Sequence, residues 1–202
     1  MFVGGTDTTS SALEWTMSEL VRNPIIMKKV QEEIRTVVGH KSNVEESDVN
    51  KMHYLKCVIK ETLRVHPPAP LVVPRVSGSD VKLKGYDIPA KTTIYINAWA
   101  IQRDPKFWES PEEFLPERFK NTEVDFKGQE DFHFIPFGFG RRGCPGVSFG
   151  IASVEYVLAN LLYWFDWKLP ETDTQNVDMN EMFGLVVSRK VPLCLKPTSY
   201  SY

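Results

Sequence analysis

A chain of 202 residues, 25% of them charged and with a net charge of −2, is long enough for one sizeable core and offers no electrostatic case for a nucleic-acid partner. Its three cysteines, Cys57, Cys144 and Cys194, show no CxxC spacing, which argues against structural zinc or a disulfide framework and suits a reducing compartment. No apolar run reaches the roughly 18–20 residues needed to span a bilayer; no targeting peptide, repeat or low-complexity tract is visible.

The opening stretch Met1-Phe2-Val3-Gly4-Gly5-Thr6-Asp7-Thr8-Thr9 has no helix-start signal, yet Leu13, Met17, Leu20 and Val21 share one helical face. Read locally, Asp7 or Thr8 caps a helix that Gly4-Gly5 precede as loop. Read as helix throughout, the two glycines each cost about 1 kcal/mol relative to alanine and call for a ligand approaching closely. Asn23-Pro24 starts a second helix, proline being tolerated in a first turn. Ile26, Val30, Ile34, Val37 and Val38 form its apolar stripe; Lys28, Lys29, Glu32 and Glu33 are its wet side. Residues 39–43 read as a loop, and 44–51 as a polar stretch with one short helical turn.

Residues 54–65 form the clearest amphipathic helix, with Leu55, Val58, Ile59, Thr62 and Leu63 at i, i+3, i+4, i+7 and i+8. Glu61 and Arg64 neighbour one another on it; exposed, such a pair contributes about 0.2–0.5 kcal/mol. His66-Pro67-Pro68-Ala69-Pro70 ends the helix, with His66 a loop histidine rather than a ligand. Residues 71–76 read as a strand, and 81–83, 86–88 and 93–96 as short strands of one small sheet. A short helix is expected at 97–101, then a long irregular segment at 104–131.

The segment Phe137-Gly138-Phe139-Gly140-Arg141-Arg142-Gly143-Cys144-Pro145-Gly146 is too glycine-rich to pack anything of its own, and glycine lets another group approach closely. Pro145 suits the first position of a helix spanning the apolar run 147–165. Val147, Ile151, Val154, Leu158, Leu161, Leu162 and Phe165 stripe one face, and Ala152, Tyr156 and Ala159 make the other side partly apolar too, so deep burial is expected. Cys144 thus precedes a helix N-terminus beside Arg141 and Arg142, two features that favour the metal-binding thiolate. A lone cysteine is otherwise a small buried hydrophobe, which is the reading for Cys57 on a helix and Cys194 in a strand. Residues 166–169 and 185–195 look like closing strands, and 181–185 like a hairpin or turn.

The cysteine segment resembles the haem loop of the cytochromes P-450, F-x-x-G-x-R-x-C-x-G, met at Phe137, Gly140, Arg142, Cys144 and Gly146, with Gly138 inside it. The opening stretch is similar to that family's oxygen-binding helix segment, [A/G]-G-x-[D/E]-T-[T/S], filled by residues 4–9, and an E-x-x-R (Glu61, Arg64) and a P-E-R-F (residues 116–119) stand in the family's order before the cysteine. Phrases such as GYDIPAKTT and NAWAIQRDP resemble the plant microsomal branch. The resemblance spans residues 1 to about 197 and implies a mainly α fold with small β-sheets (α+β), residues 1–202 being the C-terminal portion of a single domain from the central oxygen-binding helix onward.

It also implies roles. Cys144 is the iron ligand of heme b, with Arg142 and Arg75 on its propionates. Thr8 hydrogen-bonds dioxygen, Asp7 relays protons, and Gly4 and Gly5 leave room for O2. Glu61, Arg64 and Arg118 form a buried structural cluster. Ala69, Leu71, Val72, Val73, Met182 and Phe183 contact substrate. The activity implied is haem-thiolate monooxygenation of an apolar small molecule, with electrons from NADPH through a flavin reductase, on the cytoplasmic face of the endoplasmic reticulum, anchored by an N-terminal segment outside this chain. Two other readings stand beside it: a non-catalytic truncated fragment that binds haem weakly or not at all, and an RNA contact at Arg141-Arg142, which a near-neutral chain disfavours.

Overall fold

A computed structural model describes residues 2–122, 124–126, 132–170 and 177–201. Among the described residues there are six α-helices, α1 (Phe2–Arg22), α2 (Pro24–Val38), α3 (Glu46–Val49), α4 (His53–Val65), α5 (Ala98–Ile101) and α6 (Val147–Trp164), of which α1, α2, α4 and α6 carry most of the core. Helix α4 is central and touches α1, α2, α6 and the 3-10 turn Pro116–Phe119. Its stripe Leu55, Val58, Ile59 and Leu63 is buried with Leu20 of α1, Val30 and Ile34 of α2, and Leu158 and Leu162 of α6. The first turn of α4 is capped from another helix: the Glu33 carboxylate on α2 accepts from Tyr54 N at 2.8 Å and Leu55 N at 2.9 Å. That satisfies two orphan donors and places a negative charge at the positive end of the helix.

Helix α1 is continuous through Gly4, Gly5, Asp7 and Thr8, so the local cap reading fails and the continuous-helix reading holds. Several of its hydroxyls bond back to carbonyls, among them Thr16 Oγ1 to Ala12 O and Ser18 Oγ to Glu14 O, both at 2.7 Å. Helix α6 corrects one expectation. Ile151, Val154, Leu158 and Leu162 are buried, but Phe149, Ala152, Tyr156 and Val157 remain exposed, so its apolar character all round is covered on one side only. It is also long and apolar enough, by length and composition, to cross a membrane. A search for an unbroken apolar run passes over it because Ser148, Gly150, Ser153, Glu155 and Asn160 interrupt the sequence.

The strands form four separate antiparallel pairs rather than one small sheet: β1 (Arg75–Val76) with β4 (Thr93–Ile94), β2 (Val81–Leu83) with β3 (Tyr86–Ile88), β5 (Phe165–Lys168) with β8 (Lys196–Ser199), and β6 (Glu181–Met182) with β7 (Ser188–Arg189). The strand expected at 71–76 shrinks to two residues because Val72 sits at φ +54°, a conformation β-branched residues adopt only under constraint. The strand expected at 185–195 survives as β7 alone; Pro192 cannot donate to a ladder, and Leu193 N instead donates to Glu14 Oε1 at 3.0 Å. Cys57 is buried as expected, whereas Cys194 is exposed and outside any strand. The irregular segment is turns and one 3-10 turn over 104–122 and 124–126; residues 123 and 127–131 of it lie outside the described residues.

Candidate functional site

The cysteine loop is pinned from behind and bare in front. Phe134 is buried in an aromatic cluster with Trp108, Phe119 and Phe126, ring centroids 5.2–6.4 Å away. From there the chain turns: Gly138 N donates to Ile135 O at 3.0 Å, Gly143 N to Gly140 O at 2.9 Å, and Cys144 N to Phe137 O at 2.9 Å. The last bond closes the loop and fixes where Sγ points. Gly138 and Gly140 lie at φ +70° and +74°, the left-handed region that favours glycine. Helix α6 begins two residues later than proline chemistry suggests. Gly146 is the cap, and Pro145 precedes it rather than starting the helix.

In front of the loop is an open concavity of about 450 Å³ lined by Phe137, Gly138, Phe139, Gly140, Gly143, Cys144, Pro145, Val147 and Ser148. Cys144 is exposed to it. A β-carbon on Gly146 would lie 3.8 Å from Cys144 Sγ, while one on Gly140 would meet nothing within 4 Å. Glycine at these places therefore keeps the sulfur unscreened and the wall shallow, a shape suited to a flat, mainly apolar group set over a thiolate. Among the described residues no group of three or more His, Cys, Asp or Glu could chelate a metal.

Three other elements reach this loop or one another through named contacts. A Cβ on Gly138 would lie 3.2 Å from Val72 Cγ1, so the strained Val72 backs directly onto the loop. Arg75 Nη2 donates to Arg142 O at 2.8 Å, bringing both expected propionate arginines to one edge. Val187 N donates to Pro68 O at 2.9 Å, and Val187 O accepts from Ser11 Oγ at 2.7 Å. The segment following α4, the β6–β7 hairpin and α1 are thereby tied together. Of the expected substrate contacts, Leu71, Val73, Met182 and Phe183 are exposed and Ala69 and Val72 half-buried.

Gly4 and Gly5 present open space on α1, but they do not line the concavity at Cys144, and neither do Asp7 and Thr8. The Thr8 hydroxyl donates to Gly4 O at 2.7 Å. As placed, it offers lone pairs rather than its proton.

The charged cluster is closed. Arg64 Nε and Nη2 donate to the two oxygens of Glu61 at 2.8 and 2.9 Å, and Arg118 Nε donates to Glu61 Oε1 at 3.0 Å. Glu61 and Arg64 are fully buried. One residue without a signal of its own joins this cluster to the cysteine loop. Gln102, buried after α5, donates through Nε2 to Leu63 O and Arg64 O at 3.0 and 3.2 Å, and accepts from Ile135 N at 2.9 Å.

A family model described as cytochrome P-450 matches residues 1–195. The phenylacetaldehyde oxime monooxygenase of Prunus mume is 61% identical over 204 residues, covering 100% of this chain and 39% of that protein. Cytochrome P-450 71A1 of Persea americana is 62% identical over 196 residues, with 96% and 39% covered. A zebrafish cytochrome P-450 structure with abiraterone superposes with a TM-score of 0.87 at 31% identity, over 100% of this chain and 46% of that one. The chain thus spans about two fifths of the length of these curated relatives.

Proposed function

The chain belongs to the cytochrome P-450 family, and from that premise we propose that it provides the thiolate side, the oxygen-binding helix and part of the substrate wall of a haem-thiolate monooxygenase. The proposed reaction places one oxygen atom of O2 into an apolar small molecule, with electrons from NADPH through a flavin reductase. The observation that carries the reading is the bare Cys144 sulfur facing a shallow, glycine-walled concavity.

In this reading Cys144 Sγ, placed by the Cys144 N to Phe137 O bond, would hold the haem iron. A haem ligated in this way supplies the electron density that favours O–O cleavage. Arg142 and Arg75, both at the loop edge, hold carboxylates with planar donor forks. Asp7 and Thr8 of α1 handle protons, Thr8 accepting through its lone pairs while its O–H donates to Gly4 O. Leu71, Val73, Met182 and Phe183 offer apolar contact to substrate, and Gly4 and Gly5 keep the wall of α1 open to O2. By likeness to microsomal relatives we place the protein on the cytoplasmic face of the endoplasmic reticulum.

One observation favours a second reading. Cys144, Arg142, Leu71, Val73, Met182 and Phe183 are all exposed, and the concavity is lined only by the cysteine loop and the first turn of α6. The 202-residue chain by itself then retains haem weakly and turns nothing over. The carbon monoxide difference spectrum of the reduced protein separates the two. Thiolate-ligated haem gives a red-shifted Soret band that Cys144→Ala abolishes. The band surviving in Cys144→Ala would overturn the assignment, and haem lost on gel filtration would favour the second reading.

A further inference from the structure

His66 closes α4, with its N–H on Thr62 O at 2.7 Å, and its ring is buried where α1 and β6 meet the end of that helix. The imidazole lies flat on Trp15 of α1, ring centroids 4.1 Å apart and planes within 2°. Nε2 stands 2.8 Å from Glu19 Oε1, also on α1 and also buried. Nδ1 is buried, makes no hydrogen bond, and stands 3.8 Å from Glu181 Oε1 at the start of β6. Carboxylates from two different elements therefore face the two ring nitrogens, and only one contact is closed.

The remaining charges around the ring are engaged except at Arg103, whose buried Nη1 has no hydrogen-bond partner and whose charge also acts on Glu181. On α1, Arg22 Nη1 and Asn23 Nδ2 reach the Glu19 carboxylate at 3.4 and 3.2 Å, and Glu14 stands 3.8 Å from Arg189 of β7. Arg189 also lies 5.8 Å from the Trp15 ring centre. On α4, Arg64 is held by Glu61. After α5, Arg103 donates to Val65 O and pairs with Glu112 at 3.4 Å.

With one ring proton, His66 donates to Glu19, and its Nδ1 lone pair faces the oxygen of Glu181, acceptor against acceptor. A second proton turns Nδ1 into a donor and makes the ring a cation between two anions, stacked on an indole face that attracts cations. Histidine is the side chain that ordinarily changes charge within the physiological pH range. We propose that His66 is a proton-operated clamp: doubly protonated, it bridges Glu19 and Glu181 and locks the β6–β7 hairpin onto α1; singly protonated, it releases the hairpin. Since Met182 and Phe183 directly follow Glu181, the clamp positions the apolar contacts offered to substrate; that consequence, and only that, rests on the function proposed above.

The test reads a hairpin amide, not turnover. Val187 N on Pro68 O reports whether the hairpin is docked, and Met27 N on Asn23 O in α2 is the control. Hydrogen exchange is followed from about pH 5.5 to about pH 8, corrected for intrinsic rate, with the His66 ring nitrogens read by NMR in the same samples. Protection at Val187 should fall about tenfold as the second proton leaves, the scale of one charge-assisted hydrogen bond, while Met27 stays constant. In Glu181→Gln the amide can donate to a bare Nδ1 or accept from a protonated one, so protection should no longer follow pH. Hairpin protection that ignores the His66 charge, or full pH dependence surviving in Glu181→Gln, would overturn the clamp. If the clamp holds but Met182→Ala leaves the substrate-induced spectral change of the haem-loaded protein intact, the substrate-contact reading fails and the clamp stands.

Discussion

Among the described residues, the Glu61 carboxylate is the only anion that two guanidiniums, Arg64 and Arg118, hydrogen-bond, and replacing it with glutamine isolates that contribution. It accepts from Arg64 Nε, Arg64 Nη2, Arg118 Nε and Leu115 N at 2.8, 2.9, 3.0 and 2.8 Å. The other acceptors of Arg64 are the carbonyls of Gln102, Pro111 and Glu113; those of Arg118 are the carbonyls of Glu109, Ser110 and Glu113. Glutamine keeps the shape. Its amide oxygen can take the place of Oε1 and retain three contacts, but its NH2 then faces Arg64 Nε–H, donor against donor. Breaking a buried ion pair from one side costs about 3–5 kcal/mol, a large share of the roughly 5–15 kcal/mol that holds a domain together. In urea, with a slope of about 1–3 kcal/mol/M, the unfolding midpoint of Glu61→Gln should fall by about 1 M or more. The exposed pair Lys28–Glu32, at 3.8 Å, is the control: Lys28→Ala should cost under about 0.5 kcal/mol. If Glu61→Gln cost as little as the control, the cluster would not carry the structural role assigned to it.

Four further substitutions test separate parts of the structure. Gly138→Ala puts a side chain at φ +70° and 3.2 Å from Val72 Cγ1; it should cost about 1–3 kcal/mol and loosen haem retention, whereas Gly150→Ala in α6, where a β-carbon meets nothing within 4 Å, should stabilise by about 0.5–1 kcal/mol. Burial holds the Glu155 carboxyl above its usual range, with Lys56 and Lys60 only partly offsetting it. Ionising it therefore costs stability, so Glu155→Gln should be more stable than the wild type at neutral pH, with the advantage gone below the unfolded value of about 4.3; thermal melts across pH check the sign. Hydrogen bonds from Lys41 hold the Asp48 carboxyl below its usual range, which contributes stability above the unfolded value of about 3.9 that is lost as pH falls through the folded one. Lys41→Met should thus be destabilised at neutral pH and converge on the wild type in strong acid, and a gap that persists unchanged there would contradict the assignment.

The helices were legible because a repeat of apolar residues is a local signal: Leu55, Val58, Ile59 and Leu63 announce α4 whatever packs against them. The positions that resisted reading are those decided by distant chain. Nothing around Val72 announces φ +54°, because the loop at Gly138 that backs onto it lies far along the sequence. A run as apolar as α6 does not say whether both of its sides are covered. The opening of α1 shows the converse. Local chemistry favoured a cap at Asp7 or Thr8, and only the resemblance pointed to continuous helix, which is what the backbone adopts. Within the candidate site, the Arg75–Arg142 pairing was legible as two separate expectations, but not as one hydrogen bond at the loop edge.

Gln102 lies beyond both kinds of reading, and it explains why the buried ions and the cysteine belong to one machine. From Arg64 Nη1 the chain of contacts runs to Gln102 O, and from the Gln102 side chain to Ile135 N. It continues from Ile135 O to Gly138 N, and from Phe137 O to Cys144 N. Each link is a backbone group satisfied by its neighbour, and buried backbone groups left unpaired cost about 1–3 kcal/mol each, so the path resists deformation at every step. The sulfur is therefore positioned by hydrogen bonds reaching back to an ion cluster in the core, not by packing around the sulfur itself, which is bare. An exposed thiol held to a buried electrostatic anchor can keep its front face open without losing its place. It follows that Glu61→Gln should act on the loop as well as on stability. Under conditions where the variant is still folded, the hydrogen exchange of the Gly138 and Cys144 amides should quicken more than that of the α2 amides, because the disturbance travels along this path and not through the α2 side of the core.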